Sequence, residues 1–363
     1  MDDGEADRPP RQDPGRAGQR QLAVRGADIS FTPQVEAAGR TFTAGGRPRR
    51  IEHLLAEHGA NYARLRVWVD PPPGYSDTNA MLTMAARVKA RGMGLLLDPH
   101  YSDFWADPGK QPTPHLWADH TLAQLAESVR DHTRSLVADL ARQGTPADMI
   151  QIGNEVTGGM LWPAGKVHRP DGEHWQEFCT LLSAGIAGAR EGNPAGHPLR
   201  TMVHIDRGGD NRGCRNFFDH LVAGGVDFDL IGLSYYPFWH GTLPQLRDNL
   251  DDLASTYGKD IAVVETAYPW TLDSGDGHAN IVSAEDQLLD GYPATPEGQA
   301  RYFAALQDIV RSVPHGRGLG FFAWEPGWLP GVGWKPGAGN PNDNLTLFDW
   351  NGVALPALET FER

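Results

Sequence analysis

Two glutamates stand where short apolar runs stop. Asp148-Met149-Ile150-Gln151-Ile152-Gly153-Asn154-Glu155 begins apolar and ends in an amide beside a carboxylate, and Ile261-Ala262-Val263-Val264-Glu265-Thr266 repeats the pattern much later in the chain. A buried parallel strand reads this way when its C-terminal end opens into a site. In a barrel of parallel strands those ends share one face, so Glu155 and Glu265 can meet across a substrate. A converging pair suits hydrolysis of a glycosidic bond with retention, one carboxyl as acid/base and the other as nucleophile, about 5–5.5 Å apart. A single strand-end Glu is weak, because structural ion pairs use them too. The pair carries more weight, and Asn154 adds to it, since an amide there can bond a sugar 2-hydroxyl.

The elements that must hold this pair are apolar runs alternating with helical patterns, as in α/β folds with a parallel sheet. Strands are expected over Leu22–Asp28, Tyr62–Val69, Gly94–His100, the run ending at Glu155, Thr201–Asp206, Phe228–Tyr236, the run ending at Glu265, and Leu319–Trp324. Between them lie helices over Pro48–His58 and Asp77–Arg91, then one with Leu122, Leu125, Val129, Leu136 and Leu140 at helical spacing, and one containing Trp175. Leu243, Leu246, Leu250, Leu253 and Tyr257 mark an amphipathic helix. Thr295-Pro296-Glu297 opens another that buries Phe303, Leu306, Val310 and Val313, and a last helix is expected near the C-terminus. The count is eight strand–helix units without a linker-like break, which predicts a single (β/α)₈ TIM barrel over residues 21–363.

Nearly every expected strand ends in polar or aromatic residues. Alternation on the second strand puts Arg64, Arg66 and Trp68 on one side, where Arg66 is a candidate for holding a carboxylate, with a structural ion pair as the alternative. The third strand runs into a dense polar and aromatic loop, Tyr101 to Gln111, more than a connection requires. Tyr235 on the sixth strand is placed to orient the nucleophile, and Trp324 on the eighth to floor the reacting ring. The substrate contacts expected from these ends are Asp28, Arg66, His100, Asp103, Trp105, Asn154, His204, Tyr235, Trp239 and Trp324.

A net charge of −14 disfavours nucleic acid and anionic membrane as partners and suits a neutral sugar polymer. Eleven Trp can serve core packing or stack on sugar rings. Cys179 and Cys214 are the two cysteines, so no disulfide framework holds the fold, and whether they pair stays open. No apolar run approaches a membrane span. Residues 1–20 are charged, rich in Pro and Gly, and without a signal-peptide core, and are expected as a disordered tail. The chain is then either intracellular or written without its signal.

Asn154-Glu155 on strand four with a Glu on strand seven resembles the retaining glycosidases built on (β/α)₈ barrels. The sequence is similar above all to the endo-β-1,4-galactanases, glycoside hydrolase family 53, over roughly residues 22 to 351. The residues that carry the likeness are Gly26-Ala27-Asp28-Ile29-Ser30, Leu65-Arg66-Val67-Trp68, His100-Tyr101-Ser102-Asp103 and Trp105 through Gln111. Gln151-Ile152-Gly153-Asn154-Glu155, Ser234 through Gly241, Glu265 through Trp270 and Trp324-Glu325-Pro326 complete it. The resemblance implies Glu155 as acid/base, Glu265 as nucleophile, and β-1,4-galactan or galacto-oligosaccharide as substrate of a monomeric enzyme. Other readings are a hydrolase of mannan, xylan or glucan, and a carbohydrate-binding barrel without turnover.

The resemblance also bears on metal. Some relatives hold a structural calcium between the loops after strands seven and eight with an Asp-x-Asp-x-His-x-Asn run. Here it reads Ser274-Gly275-Asp276-Gly277-His278-Ala279-Asn280, with Ser in place of the first Asp and Asp273 one position earlier. Asp276, His278, Asn280 and Asp343 are the candidate ligands, the alternative being a polar turn without an ion. The chemistry itself requires no cofactor.

Overall fold

The structure, a computed structural model, describes residues 21–72 and 74–362. The expectation for residues 1–20 lies outside the described residues. Eight runs become strands: β1 (Val24–Asp28), β2 (Tyr62–Val67), β3 (Gly94–Pro99), β4 (Met149–Gln151), β5 (Arg200–Ile205), β6 (Leu230–Ser234), β7 (Asp260–Thr266) and β8 (Gly318–Ala323). Each pairs in parallel with its neighbours in sequence, and β8 pairs with β1 to close the barrel. Parallel strands need crossovers, and these are α1 (Ile51–Glu57), α2 (Thr78–Lys89), α3 (Leu122–Arg142), α4 (Trp175–Gly192), α5 (Asn211–Ala223), α6 (Leu243–Tyr257) and α7 (Pro296–Ser312). The last position around the ring is taken by a 3₁₀ helix, Pro356–Glu362, whose Phe361 ring lies 5.2 Å from that of Phe321 on β8. Helix starts follow local chemistry. Thr121 and Thr242 form capping boxes with Gln124 and Gln245, and Thr295 caps α7 with Pro296 behind it.

Alternation splits the strand side chains into two cores. Val24, Leu96, Met149, Met202, Leu230, Ala262, Val264 and Phe322 form a separate cluster that fills the barrel interior, while the larger cluster packs strands against helices. The interior is tight. A Cβ on Gly26 would lie 2.2 Å from the Phe322 ring, so β1 passes Phe322 only as glycine. One step nearer the C-terminal ends the same inward positions become Asp28, Arg64, Asp98, Gln151, His204 and Ser234, all buried. The barrel changes from hydrocarbon to a polar layer along its own axis.

Two strand ends depart from expectation. β4 stops at Gln151, and Gly153 (φ 81°) and Glu155 (φ 47°) carry the chain through a left-handed turn where a strand was expected to run to Glu155. On β7, Leu233 and Ser234 of β6 pair with Val263 and Glu265, so one residue is extra, and the pairing to β8 shifts over the same interval. A bulge of this kind reverses the alternation. Val264 faces the interior cluster, and Thr266 faces the helices through a 2.6 Å hydrogen bond to Tyr302 on α7. Glu265 between them turns into the barrel mouth. Cys179 and Cys214 are both free and buried.

Candidate active site

The polar layer is built around Arg64. Its guanidinium lies 2.7 Å from Asp28, 2.8 Å from Asp98 and 2.8 Å from Glu265, and also donates to Gln151 at 2.9 Å and Asn154 at 2.8 Å. A buried cation costs several kcal/mol of desolvation unless its donors are matched, and here every face of the fork has an acceptor. Burial acts to lower the Arg64 pKa, but Asp98, Glu265 and Asp28 overcome it and raise it, so the charge is permanent. Burial likewise pushes Asp98 up, and Arg64 with His100 more than reverses that, leaving it below the usual carboxylate range.

Glu265 and Glu155 open on one cavity of about 260 Å³ at the C-terminal mouth of the barrel. Glu265 is gripped from two sides, by Arg64 on Oε1 and by the Tyr236 hydroxyl on Oε2 at 3.0 Å. Glu155 has no such cation. Ser234 donates to its Oε1 at 2.7 Å, and among the described residues nothing else bonds the carboxyl. Burial pushes both carboxyls up, Glu265 to about 7 against the pull of Arg64 and the Tyr236 hydroxyl. Glu155 is raised well above the ordinary range by burial, then by Glu265 and Asp206 facing it. The cation and the phenol on Glu265 favour its ionised form, whereas Glu155 has a single hydroxyl, so the setting favours the proton on Glu155. Glu155 holds a positive φ, a conformation that costs about 1–3 kcal/mol for a non-glycine residue.

His100, Trp105, Asn154, Trp239 and Trp324 line this cavity with the two glutamates. Asn154 accepts from Arg64 and donates to the Ala106 carbonyl at 2.9 Å, which fixes its amide beside Glu155. Trp239 is 58% exposed, and Trp105 and Trp324 are half-buried with ring centroids 6.1 Å apart. The other expected contacts lie elsewhere. Asp28 is fully buried under Arg64. Asp103 binds the Asp70 amide and His115 on the outer surface. His204 is buried behind Ser234. Arg66 pairs with Glu325 at 3.0 Å and stacks on Trp105 at 4.3 Å, so the carboxylate it holds is not one of the pair. Tyr235 gives its hydroxyl to the Gly241 carbonyl, and the tyrosine that reaches Glu265 is Tyr236.

Arg64, Ser234 and Tyr236 were thus missed as site residues. For the latter two the signal was present, because Leu230, Gly232, Ser234 and Tyr236 share parity and Leu230 belongs to the interior cluster. Phe238, Trp328 and Trp334 also line the cavity. Trp328 and Trp334 come from the long loop after β8, whose path no pattern announced.

Of the candidate calcium ligands, Asp276, Asn280 and Asp343 come together and are tied to one another and to backbone N–H groups. Asp343 accepts from the amides of Gly275 and Asp276 at 2.8 and 3.2 Å and from the Asn280 side chain at 2.9 Å. Asp276 accepts from the amides of His278 and Asn340, both at 2.8 Å. All four carboxylate oxygens meet N–H donors, while the Asn280 side-chain oxygen is buried without a hydrogen-bond partner; calcium asks for 6–8 oxygens turned toward one point. Among the described residues no group of three or more His, Cys, Asp or Glu is placed to hold a metal ion.

The sequence model described as "Glycosyl hydrolase family 53" matches residues 24–361. A protein of Niallia circulans described as uncharacterized is 45% identical, covering 93% of both chains. The endo-beta-1,4-galactanase of Bacillus subtilis (strain 168) is 34% identical, covering 93% of this chain and 85% of its own. The solved GH53 catalytic domain of Ignisphaera aggregans superposes with a TM-score of 0.89 at 39% identity, covering 95% of this chain and 97% of that one.

Proposed function

The chain belongs to glycosyl hydrolase family 53, and from that premise we propose that it is an endo-acting hydrolase of β-1,4-galactan that retains anomeric configuration, with Glu265 as nucleophile and Glu155 as acid/base. The observation that carries this is the unequal setting of two glutamates on one cavity, one tied to a cation and a phenol, the other to a single hydroxyl. Glu265 attacks the anomeric carbon while Glu155 gives its proton to the leaving glycosidic oxygen, whose bond to carbon breaks with its electron pair. Glu155, now a carboxylate, then takes a proton from water as that water displaces Glu265. Asn154 offers its amide toward the 2-hydroxyl, and Trp105, Trp239 and Trp324 offer faces to sugar rings.

Galactan as substrate is supported by the galactanase from Bacillus subtilis at 34% identity across most of both chains. No cofactor enters the chemistry, and we read the Asp276 and Asp343 contacts as a clasp of N–H donors that does without a cation. The test is reducing-sugar release from galactan, mannan, xylan and β-glucan, with proton NMR following the first product. Galactan cut fastest, with β-product appearing before mutarotation, is expected. Faster release from another glycan overturns the substrate, initial α-product overturns the mechanism, and tight binding without product makes it a binding barrel.

A further inference from the structure

We propose that His204 and Ser234 are positioning residues for Glu155, forming a one-way chain of hydrogen bonds that keeps its Oε1 an acceptor and leaves the acid proton on Oε2, the oxygen open to the cavity. The inference rests on the reading of Glu155 as acid/base. Its direction can be worked out link by link. Arg64 Nε can only donate, so the Gln151 oxygen faces it at 2.9 Å and the Gln151 Nε2 faces His204 Nδ1 at 3.1 Å. The backbone N–H of Glu155 points at the same Nδ1 at 3.4 Å. With two N–H donors aimed at it, Nδ1 carries no proton, and the ring proton sits on Nε2, 2.8 Å from Ser234 Oγ. The Ser234 hydroxyl, accepting from His204, gives its own proton to Glu155 Oε1 at 2.7 Å.

Up to Ser234 no link can reverse without setting donor against donor, and a reversed last link would leave the Ser234 proton without an acceptor among the described residues. The chain therefore conducts no proton and instead fixes where one sits. His204 and Ser234 are fully buried, and burial, reinforced by Arg64, holds the His204 pKa well below its usual value, so the ring stays neutral. Glu155 Oε2 has no hydrogen bond to the described residues and is not among their sealed, unpartnered atoms, so it is the oxygen that meets the cavity. The other charged and titratable groups that face Glu155 are Glu265 on β7, Asp206 beyond β5, Arg64 on β2 and Tyr236 beyond β6. Glu265 and Asp206 oppose its ionisation, whereas Ser234 favours the carboxylate. Ser234 thus stabilises the charge that develops as Glu155 loses its proton, which makes it a stronger acid in the first step.

The test is a kcat/KM profile against pH on galactan for the wild type, Ser234→Ala and Ser234→Thr, with folding checked by circular dichroism. Losing the donor should move the alkaline limb of Ser234→Ala up by about one pH unit, and Thr should restore it. A folded Ser234→Ala with the limb unmoved, or an equal shift in both variants, overturns the proposal. Nitrogen-15 NMR of the wild type supplies a readout that needs no variant: His204 should stay a neutral Nε2–H tautomer across the profile, and an Nδ1–H tautomer or an imidazolium overturns it. If the reading of Glu155 itself is wrong, Glu155→Gln keeps the wild-type rate and limb. If only the chain is wrong, Glu155→Gln loses the rate while Ser234→Ala leaves the limb in place.

Discussion

Arg64 and Arg66 stand two residues apart on one strand, each with a buried glutamate, and the two pairs have opposite fates. Arg64 holds Glu265 at the wall of the cavity, while Arg66 holds Glu325 at 3.0 Å behind Phe31 and Trp105. Glu325 also takes the backbone N–H of Phe31 at 3.1 Å, which ties the loop after β1 to that after β8. Burial, then Asp28, pushes the Glu325 carboxyl well above its usual range against Arg66. Both are a buried guanidinium against a buried carboxyl. The difference lies in what else reaches the carboxylate: open space in one case, aromatic packing in the other. Identity of residue does not make a nucleophile, but access with a fixed charge does.

The sharpest way to break this comparison is to neutralise the cavity pair. Glu265→Gln should cut kcat on the order of 10⁴-fold, and Glu155→Gln by about 10²–10⁴-fold, with folding intact. Glu265→Ala should regain turnover with azide and give an inverted glycosyl azide. Wild-type rates in both Gln variants would end the assignment.

Neutralising the sealed pair should do the reverse. Glu325→Ala leaves Arg66 buried without its partner and the Phe31 amide unmet, a loss of about 3–5 kcal/mol by urea unfolding. The rate per folded molecule should change far less than in Glu265→Gln. If Glu325→Ala instead keeps its stability and loses turnover, the two pairs are not distinct in role.

A smaller effect separates the two carboxyls of the cavity. The folded pKa of Glu155 is raised, so the stability linked to its proton is fully present below the unfolded value, about 4.3, and is lost as pH rises through the folded one. Glu155→Gln removes that loss. The variant should gain on the wild type progressively as pH rises above that unfolded value. The rate has its own signs: it falls toward acid as Glu265 takes a proton and toward alkali as Glu155 loses one. A Glu155→Gln stability curve parallel to the wild type above the unfolded value would show that burial does not strain this group.

The smallest effect is expected in the loops after β7 and β8. A bound calcium at a hundredfold excess over Kd would contribute about 2.7 kcal/mol, several degrees of melting temperature. Chelation should move the midpoint by no more than about 1 °C. A larger drop, reversed by calcium, would show that the N–H donors on Asp343 give way to a cation.

What sequence could and could not reveal divides along physical lines. The barrel was legible because short, mostly apolar runs alternate with amphipathic helices, and these patterns are local. Glu155 and Glu265 were legible because carboxylates at the ends of buried strands are costly without a purpose. Arg64 was not separated from Arg66, since both share parity and differ only by about 6.6 Å of height along the strand. Height depends on how neighbouring strands are staggered, which no single strand contains. An orienting role for Tyr235 runs against the alternation, since Ser234 on the inward face shares parity with Tyr236. The helix-facing side of β6 takes Tyr235, and the mouth takes Tyr236.

The extra residue in β7 places the aim of Glu265 in a count of peptide units, not in any side chain. No substitution can reproduce that information or erase it, because every replacement leaves the count unchanged. Pairing β7 at its present length without the bulge, Ser234 opposite Val264, would keep an apolar strand able to close the barrel, yet would turn the glutamate toward the helices and a threonine toward the substrate. Such a change of register would separate assembly from chemistry more cleanly than any point mutant. It also means that a β7 segment moved into another barrel carries its glutamate usefully only if the bulge, with its register against both neighbours, travels with it.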